Sequence, residues 1–375
     1  MMRTALIVGA GIGGLAAGIA LRRAGWRARV FERAAAPREL GFALNLAPNA
    51  VRALRALGVA GRVEAEAHRM RLGELRRMDG RTLKRLDIGA AAPDTPSLIA
   101  LRSALHGALL DATPAGDLAL GSAGVGFEVD GDGVLLTLAD GRRERGDVLI
   151  GADGLGSAIR RALHPADPPP RDSGLCALRG VVGGVTEALG GLSGLIYLGR
   201  GCEAAAVRAS ADAIYWFVSV PASSVASARG DAPAVARALL DRLPPAFRAI
   251  AAPTAPGDLR HDVLVDRDPI ARWGEGPVTL LGDAAHPMLP QTGQGAAQAL
   301  EDAVALGDAL AAPGAGAEAL RAYERTRGAR TAPIVRRGRR LAAAVAMEGA
   351  FVDWLRTTVI RATPSRILVD AMLRV

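Results

Sequence analysis

Apolar positions near the N-terminus follow first a strand pattern, then a helical one, then a strand pattern again. Thr4–Val8 is a short apolar run, and Arg29–Phe31 is the second strand-like run. Between them, the apolar residues Leu15, Ile19 and Leu21 follow a helical pattern. The run Gly9-Ala10-Gly11-Ile12-Gly13-Gly14 separates the first strand from the helix. The sequence therefore predicts a strand, a glycine-rich turn, a helix and a second strand, in that order.

The glycine spacing in this turn is Gly-x-Gly-x-x-Gly, at Gly9, Gly11 and Gly14. The first glycine allows a tight turn, the second lets a pyrophosphate approach the backbone, and the third lets the helix pack on the strand. Glu32 ends the second strand, 18 positions beyond Gly14, where an acidic side chain receives the ribose hydroxyls of an adenine dinucleotide. A secretory signal peptide is the alternative, and the density of glycines argues against it.

A strand–loop–helix pattern recurs in the C-terminal third of the chain. Val278–Leu281 predicts a strand that ends at Gly282-Asp283, and Gly295 opens a predicted helix after a loop that contains two prolines. Such a surface offers a carboxylate to hydroxyl groups, and backbone N–H groups with a helix N-terminus to phosphate oxygens. An ordinary loop connection is the alternative. His286, in the same loop, is expected to stabilise the turn rather than to transfer protons.

A third strand, Asp147–Ile150, leads into Gly151-Ala152-Asp153-Gly154 and then to Ser157, Arg160 and Arg161. The three segments read GAGIGGLAAGIALRRAGWRARVFER, DVLIGADGLGSAIR and DRDPIARWGEGPVTLLGDAAHPMLPQTGQGAAQALEDA. With them the chain resembles the single-component FAD-dependent aromatic monooxygenases, of the para-hydroxybenzoate hydroxylase-like or salicylate hydroxylase-like kind. The resemblance covers essentially the whole chain, and the second and third motifs are specific for it.

The resemblance implies a set of FAD-binding residues in this chain. Gly9, Gly11, Gly14 and Glu32, with the adjacent Ile12, Gly13 and Arg33, are expected to hold the ADP half. Arg102 matches the arginine near the phosphate–ribityl region, Asp153 belongs to the motif shared by FAD and the nicotinamide donor, and Asp283 matches a carboxylate on the ribityl chain or pyrophosphate. Pro290, Gly293, Gly295, Ala296 and Ala297 are expected beside the isoalloxazine ring, with backbone N–H groups that face its N1/O2 edge.

Two positions depart from the family pattern. Position 297 is often Asn and is Ala here, which keeps a backbone donor and removes a side-chain amide. The loop Gly41–Asn49 also matches the family, although Phe42 replaces a smaller residue expected near the ring.

The same resemblance implies the reaction. FAD, reduced by NADPH or NADH, reacts with O2 to form a C4a-hydroperoxide, which hydroxylates an electron-rich aromatic or enolic small molecule in a dry pocket. No second Gly-x-Gly-x-x-Gly is present for the nicotinamide, as is usual when it binds transiently.

The motif positions predict an α/β fold: a discontinuous, Rossmann-like FAD-binding domain, a β-sheet substrate domain and C-terminal helices. Its expected parts are residues 1–70, 98–170 and 265–325 for the FAD domain, 71–97 and 171–264 for the substrate sheet, and 326–375 for the helices. Arg69–Ile88 predicts a hairpin and Leu175–Val220 several strands. Predicted helices span Ala296–Leu310 and Ala317–Arg340, with a kink or interruption at Pro333.

Arg336 to Arg340, together with the largely apolar Val345–Leu355, is expected to form an amphipathic helix, packed on its own domain or, alternatively, on a partner.

Polar and aromatic residues on the predicted sheet are the candidates for contact with substrate: Arg179, Glu203, Arg208, Tyr215 and Trp216. Tyr215 occupies, by resemblance, a position on the pocket wall. We take Tyr215 and Glu203 as the catalytic candidates. Glu203 either binds a donor group of the substrate, acts as a general base, or is a solvated strand residue.

Other functions on the same fold stay open: a hydroxylase of larger polyketide or tetracycline-type substrates, an olefin epoxidase, a reductase of the geranylgeranyl type, or a scaffold that binds FAD without catalysis. A halogenase is disfavoured because its WxWxIP signature is missing.

Amino-acid composition says little about the fold, but it limits the kinds of partner that the protein is expected to bind. Net charge is +8, yet the arginines are scattered and aromatic residues make up only 3% of the chain, so nucleic-acid binding is not expected. Two cysteines without metal spacing point to a reducing cytoplasm and to no metal site. No apolar run long enough for a membrane span stands outside the glycine-rich start. A monomer and a homodimer both fit.

Overall fold

A computed structural model describes residues 2–37, 42–228 and 231–373 of the chain. Gly41, the first residue of the matched loop Gly41–Asn49, lies outside the described residues. In chain order the strands are β1 (Thr4–Val8), β2 (Arg27–Phe31), β3 (Ala43–Leu46), β4 (His68–Arg69), β5 (Leu72–Arg77), β6 (Thr82–Asp87), β7 (Leu98–Leu101), β8 (Leu118–Ala119), β9 (Gly124–Asp130), β10 (Gly133–Leu138), β11 (Arg143–Gly146), β12 (Val148–Gly151), β13 (Arg171–Gly183), β14 (Gly194–Gly199), β15 (Cys202–Arg208), β16 (Ala213–Pro221), β17 (Arg260–Asp266) and β18 (Val278–Leu280).

The α-helices, again in chain order, are α1 (Ile12–Arg23), α2 (Pro48–Leu57), α3 (Ala60–Glu66), α4 (Ile88–Ala91), α5 (Arg102–Asp111), α6 (Ala158–Leu163), α7 (Ala232–Leu240), α8 (Pro245–Ala251), α9 (Gly295–Leu310), α10 (Ala317–Ala346), α11 (Ala350–Ala362) and α12 (Ser365–Leu373).

A five-stranded parallel sheet, in the order β18-β12-β1-β2-β8, forms the centre of the first half of the molecule. Its inner strands come from three distant parts of the chain, and β12 and β18 are buried along their whole length. Continuous apolar runs of this kind suit strands that are covered on both faces. Helix α1 packs against α9 on this sheet, and the Trp26 indole donates to the Leu310 carbonyl at 2.9 Å.

A seven-stranded sheet, in the order β17-β13-β16-β15-β14-β5-β6, forms the second half. The predicted hairpin is confirmed in it, because β5 and β6 pair antiparallel. One face carries Trp216 and Tyr197, which pack on Phe247 of α8. The other face carries Tyr215 and Phe217, since side chains alternate along a strand. We call this second side the Tyr215 face.

Two small sheets complete the β structure. The sheet β3-β7-β4 supplies Ala43 and Ile99, which pack against Val207 and Tyr215 on the Tyr215 face. The sheet β11-β10-β9 is antiparallel and contacts the five-stranded sheet through β10 and β12. The fold is therefore the expected α/β arrangement, whereas the exact domain boundaries stay a prediction.

The C-terminal helices differ from the predicted ones in two ways. Helix α10 continues to Ala346 and runs through Pro333 without interruption. The expected helix from Val345 to Leu355 does not form as one unit, because α10 ends at Ala346 and α11 begins at Ala350. Helix α11 buries Asp353 and leaves Trp354 exposed. Within residues 2–37, 42–228 and 231–373, no helix is long and apolar enough to cross a membrane.

Candidate active site

The three sequence motifs meet at one edge of the five-stranded sheet. They follow the carboxyl ends of β1, β12 and β18, which are neighbouring parallel strands. Backbone bonds join the three turns, because the Ala152 N–H donates to Val8 O at 2.8 Å and the Leu281 N–H donates to Gly151 O at 2.9 Å. Ligands of open α/β sheets bind at this edge. We call the region formed by Gly11, Glu32, Arg102 and Asp283 the strand-end surface.

Glycine is needed for a different structural reason at each position of the first turn. Gly9 has a φ of +103°, which disfavours any other residue. A Cβ at Gly14 would lie 1.8 Å from the Gly9 carbonyl oxygen, whereas a Cβ at Gly11 would have no heavy atom within 4 Å. Gly14 is thus required by packing inside the protein. Gly11 faces open space at the N-terminus of α1, where no side chain caps the first N–H groups, and a pyrophosphate fits there.

Glu32 shapes the same turn. Its two carboxylate oxygens accept the N–H groups of Ala10 and Ala34 at 2.8 and 2.9 Å. The His106 ring lies 2.8 Å from the Ala10 carbonyl oxygen, so α5 also supports the turn, a contact that the sequence did not suggest. Glu32 is half-buried and Arg33 is exposed.

Asp283 and Arg102 bring opposite charges to the strand-end surface. Burial raises the pKa of Asp283, and the positive charge of Arg102 and the nearby His286 oppose that rise. Burial likewise lowers the pKa of Arg102, which Asp283 opposes. Asp283 is nevertheless exposed by surface area. Protein atoms surround the Asp283 side chain closely enough to raise its pKa, yet its carboxylate still opens to solvent at the strand-end surface. Such a carboxylate can accept hydrogen bonds from ligand hydroxyl groups.

A buried ionic network supports the Gly282-Asp283 turn, and of its members only His286 was predicted from the sequence. The Asp302 carboxylate accepts from the Gly282 N–H at 2.9 Å and lies 2.6 Å from His286 Nε2. Arg327 Nε donates to the other Asp302 oxygen at 2.6 Å. Burial alone would raise the pKa of Asp302, but His286 and Arg327 outweigh it and lower the pKa. His286 therefore sits in the turn-stabilising place expected of it.

The network extends from α9 to two other helices. Glu301 accepts from Arg327 of α10 at 2.7 Å and from the Asn49 amide of α2 at 2.6 Å. A signal for the pair Glu301-Asp302 was present in the sequence, because both acids lie in a predicted helix that is otherwise largely apolar on its buried side.

Arg160 ties the second motif to the third. Its guanidinium is buried and donates to the carbonyls of Ala284 and Ala285 at 3.0 and 2.9 Å, and to Asp167 at 2.7 Å. Asp153 accepts from the Ala158 N–H at 2.7 Å, so part of its carboxylate holds the start of α6. Burial raises the pKa of Asp153.

The loop expected beside the isoalloxazine ring is the segment from Pro290 to the start of α9. Gly293 has a φ of +63°, and a Cβ there would lie 3.1 Å from the Asn45 amide nitrogen. Gly295 and Ala296 begin α9, whose first turn has no side-chain cap. Ala297 is fully buried in the core, so its side chain does not reach the strand-end surface.

The residues at the strand-end surface fit an adenine dinucleotide with a flavin in two respects. Gly11, Gly154 and Gly295 leave room beside the backbone, since a Cβ on each would meet nothing within 4 Å. Within the described part of the chain, Asp153 Oδ1, Gln291 Oε1 and Gln294 Nε2 are buried without a hydrogen-bond partner. Room for phosphates and polar atoms available to a ligand both fit FAD.

The Tyr215 face of the large sheet lies across from this loop. Leu289, next to Pro290, packs with Ala177 of β13, and Phe42 packs edge-on against Tyr215 with 6.5 Å between ring centroids. The Arg179 guanidinium lies over the Phe42 ring at 5.5 Å. Burial raises the pKa of Tyr215, which keeps its hydroxyl neutral. Aromatic rings therefore line this face where it meets the loop.

Glu203 shares the face with Tyr215 but lies further along it. Glu203 pairs with Ser219, whereas Tyr215 pairs with Val207 on the same two strands. Burial raises the pKa of Glu203 to about 7, and the charge of Arg356 opposes that rise. Glu203 is not a solvated strand residue, because its side chain is largely shielded from water.

Two other candidates on the sheet are wrong. Trp216 is fully buried on the opposite face, where its indole donates to Thr254 at 2.8 Å. Arg208 also points to that side, because it pairs with Ile214, and its guanidinium donates to the Ala211 carbonyl at 2.8 Å. The alternation of side chains along β15 and β16 explains both errors.

The family model described as FAD binding domain matches residues 2–338. An aurachin C monooxygenase/isomerase from Stigmatella aurantiaca is 36% identical, over 99% of this chain and 97% of that protein. A 3-hydroxybenzoate 6-hydroxylase from Aquipseudomonas alcaligenes is 34% identical, over 89% and 87%. Klebsiella pneumoniae HpxO, solved with FAD and uric acid, superposes with a TM-score of 0.91 at 27% identity and covers 99% of this chain and 96% of its own.

The family match and these relatives agree with the motifs at the strand-end surface. The expected cofactor class, enzyme class and fold are thereby confirmed. The chain belongs to the FAD-binding-domain family of flavin-dependent aromatic monooxygenases.

Proposed function

We propose that the enzyme hydroxylates a small electron-rich aromatic or heteroaromatic ring held between the Leu289–Gly293 loop and the Tyr215 face. The observation that carries this proposal is that Leu289 and Ala177 belong to one packing cluster, which sets the Leu289–Gly293 loop against the sheet. The relatives' names include a hydroxybenzoate hydroxylase, and a structural neighbour was solved with uric acid. Rings of this size suit a pocket walled by Phe42, Tyr215 and Phe217.

We assign the cofactor-binding roles as follows. The N–H groups at Gly11, Ile12 and Gly13 face the pyrophosphate, and Glu32 receives the adenosine ribose. Gly9 and Gly14 keep the turn closed, and Arg33 lies at its exposed edge.

Arg102 and Asp283 contact the phosphate–ribityl region, and Asp153 belongs to the segment that serves both FAD and the nicotinamide donor. Backbone N–H groups from Gly293 to Ala297, after Pro290, face the flavin ring, where they stabilise negative charge.

FAD, when bound, supplies the redox chemistry that couples NAD(P)H oxidation to insertion of one oxygen atom from O2 into the ring. The protein's own work is binding, orientation and exclusion of water. Phe42, Tyr215 and Phe217 orient the substrate ring by stacking and edge contacts. The neutral Tyr215 hydroxyl can donate a hydrogen bond to a substrate oxygen.

The domain division at residues 1–70, 98–170 and 265–325, with the sheet at 71–97 and 171–264, is part of the same proposal. So is a cytoplasmic location, which the low cysteine content of the sequence (two residues) favours. The proposed oligomeric state is a monomer or a homodimer.

The test is a substrate panel on purified, flavin-loaded enzyme. Phenols, anilines, hydroxypyridines and hydroxyquinolines, together with polyketides and olefins, are scored for stimulated NADH and NADPH oxidation, for oxygenated product and for hydrogen peroxide. We expect at least one ring class to give product in near-equal yield to the nicotinamide consumed. Stimulation only by polyketides or olefins, with no product from small rings, contradicts the proposal.

A further inference from the structure

Glu203 lies on the Tyr215 side of β15, the central strand of the seven-stranded sheet, next to the first residue of that strand. Helix α10 packs over β13, β15 and β16. Three hydrophobic clusters lie around Glu203: Leu289, Ala177 and Val345 at β13; Ala43, Ile99 and Tyr215 at β16; and Leu75, Ile196 and Ile360 at β5. In register, Glu203 stands between Leu198 of β14 and Ser219 of β16. Directly paired residues project to the same side, so Glu203 points into the space that the three clusters surround.

The Glu203 carboxyl has no donor from the protein. Among residues 2–37, 42–228 and 231–373, no hydrogen bond or ion pair to its side chain is found, and only the charge of Arg356 acts on it. Arg356 is itself engaged, since it donates to Gly199 O at 2.8 Å and to Asp353 at 2.6 Å. Glu203 is partly exposed, so a ligand can reach its carboxyl, and a carboxylate without a protein donor can accept from a ligand N–H or O–H group.

We propose that Glu203 accepts a hydrogen bond from an N–H or O–H group of the substrate, so that the enzyme selects neutral, donor-bearing rings over ring carboxylates. This inference rests on the proposed function, because it concerns the same pocket. A substrate carboxylate would place a second negative charge beside Glu203 or force it to take up a proton. An amide or ring N–H instead supplies the missing partner.

The experiment uses FAD-loaded enzyme and two matched ligand pairs. The pairs are 3-hydroxybenzamide with 3-hydroxybenzoate, and 4-hydroxyquinoline with its 2-carboxylate. Dissociation constants come from the change in the flavin absorbance spectrum. We expect the neutral member of a pair to bind at least about tenfold more tightly, as fits a hydrogen bond to a charged group. Equal binding within both pairs, tighter binding of the carboxylates, or no binding by either neutral ligand overturns the inference.

The variant Glu203→Gln replaces the carboxylate by an amide of nearly the same shape, so it tests the role of the negative charge while the surrounding structure is kept. We expect it to abolish the preference for the neutral ligands, while Glu348→Gln, an exposed neighbour beside Gly201, keeps the preference. A preference that persists in Glu203→Gln overturns the inference.

The wild-type enzyme gives a second readout that does not depend on folding of a variant. Charged or titratable groups near Glu203 are Arg356 of α11, the Cys202 thiol and Glu348. Burial raises the pKa of Cys202 to about 11, so this thiol stays neutral near pH 7. Affinity for the neutral ligands is expected to rise between pH 6 and 8, as Glu203 ionises, and affinity for the carboxylates to fall. Flat profiles for both count against the inference.

Failure of the inference differs from failure of the proposed function. If the preference is absent but a ring is still hydroxylated, only the role of Glu203 is wrong. If no ring is hydroxylated, the proposed function is wrong, whatever the dissociation constants show.

Discussion

The Asp302 carboxylate lies 2.9 Å from the backbone nitrogen of Gly282 and accepts its N–H. Asp302 belongs to α9, whereas Gly282 opens the turn that presents Asp283 to the strand-end surface. Gly282 has a φ of +61°, a conformation that a fixed partner helps to hold. Asp302 is fully buried and bonded to protein groups, so it is a positioning residue that acts through the turn.

Asp302→Asn is expected to weaken FAD binding by about tenfold or more and to lower the thermal midpoint by several degrees. The amide still accepts from one donor, but it leaves Arg327 and His286 without their negative partner, and breaking a buried ion pair costs about 3–5 kcal/mol. Isothermal titration with FAD and a thermal melt of the apoprotein measure the two effects. Asp308→Asn, exposed on the same helix, is the control. An unchanged FAD affinity in Asp302→Asn contradicts the positioning role.

Gly11→Ala and Gly14→Ala are expected to fail in different ways. A methyl group at Gly11 meets no protein atom, so the apoprotein folds with a normal thermal midpoint, yet FAD binds at least about tenfold less tightly because the methyl occupies the phosphate position. A methyl group at Gly14 collides with the Gly9 carbonyl, so this variant loses stability before any ligand is added. Thermal melts of the apoproteins, followed by FAD titration, distinguish them. Full FAD affinity in Gly11→Ala would place the pyrophosphate elsewhere.

Arg160→Ala is expected to destabilise the protein, and its neighbour Arg161→Ala is not. Loss of the Arg160 guanidinium leaves the buried carbonyls of Ala284 and Ala285 without these donors, at about 1–3 kcal/mol for each unsatisfied group. Arg161 is exposed and serves as the matched control. Urea unfolding of both variants, with flavin content after purification, tests the difference. Equal stability of the two variants would show that the bonds of Arg160 contribute little.

Glu203→Gln is expected to make the protein more stable at high pH. The carboxyl titrates near 4.5 when unfolded and near 7 when folded, so the folded state binds its proton more tightly. Stability therefore falls as pH rises through this window, by at most about 3 kcal/mol, since one pKa unit is about 1.4 kcal/mol. Thermal midpoints of wild type, Glu203→Gln and the control Glu348→Gln at pH 5 and pH 8 measure the slope. The idea fails if wild type and Glu203→Gln lose stability equally between those values.

Local patterns in the sequence predict much of this fold. The periodicity of apolar residues and the spacing of glycines predict β1, the glycine-rich turn and α1. Both patterns extend over only a few residues, so they can be read directly from the sequence. The β5–β6 hairpin follows from a turn sequence between two strand patterns. The strand-end surface was predictable because all three motifs come directly after apolar strands.

The supporting contacts were not predictable in the same way. Asp302 and Arg327 lie on different helices, and no local period indicates which acid meets which arginine. The break between Ala346 and Ala350 was missed because the apolar residues around it suit a helix. The orientation of Trp216, by contrast, could have been predicted from the sequence, because adjacent residues on a strand point to opposite faces and Tyr215 was already placed on the pocket side.

The order of strands in the five-stranded sheet has a consequence for synthesis of the protein. Strand β1 lies between β2 and β12, and β12 must still pair with β18, which is translated long afterwards. Strand β12 therefore lacks one of its two neighbours until most of the chain has been synthesised, and its apolar residues stay exposed until then. Premature termination before β18 is expected to leave a fragment that aggregates or is degraded, rather than a smaller flavoprotein.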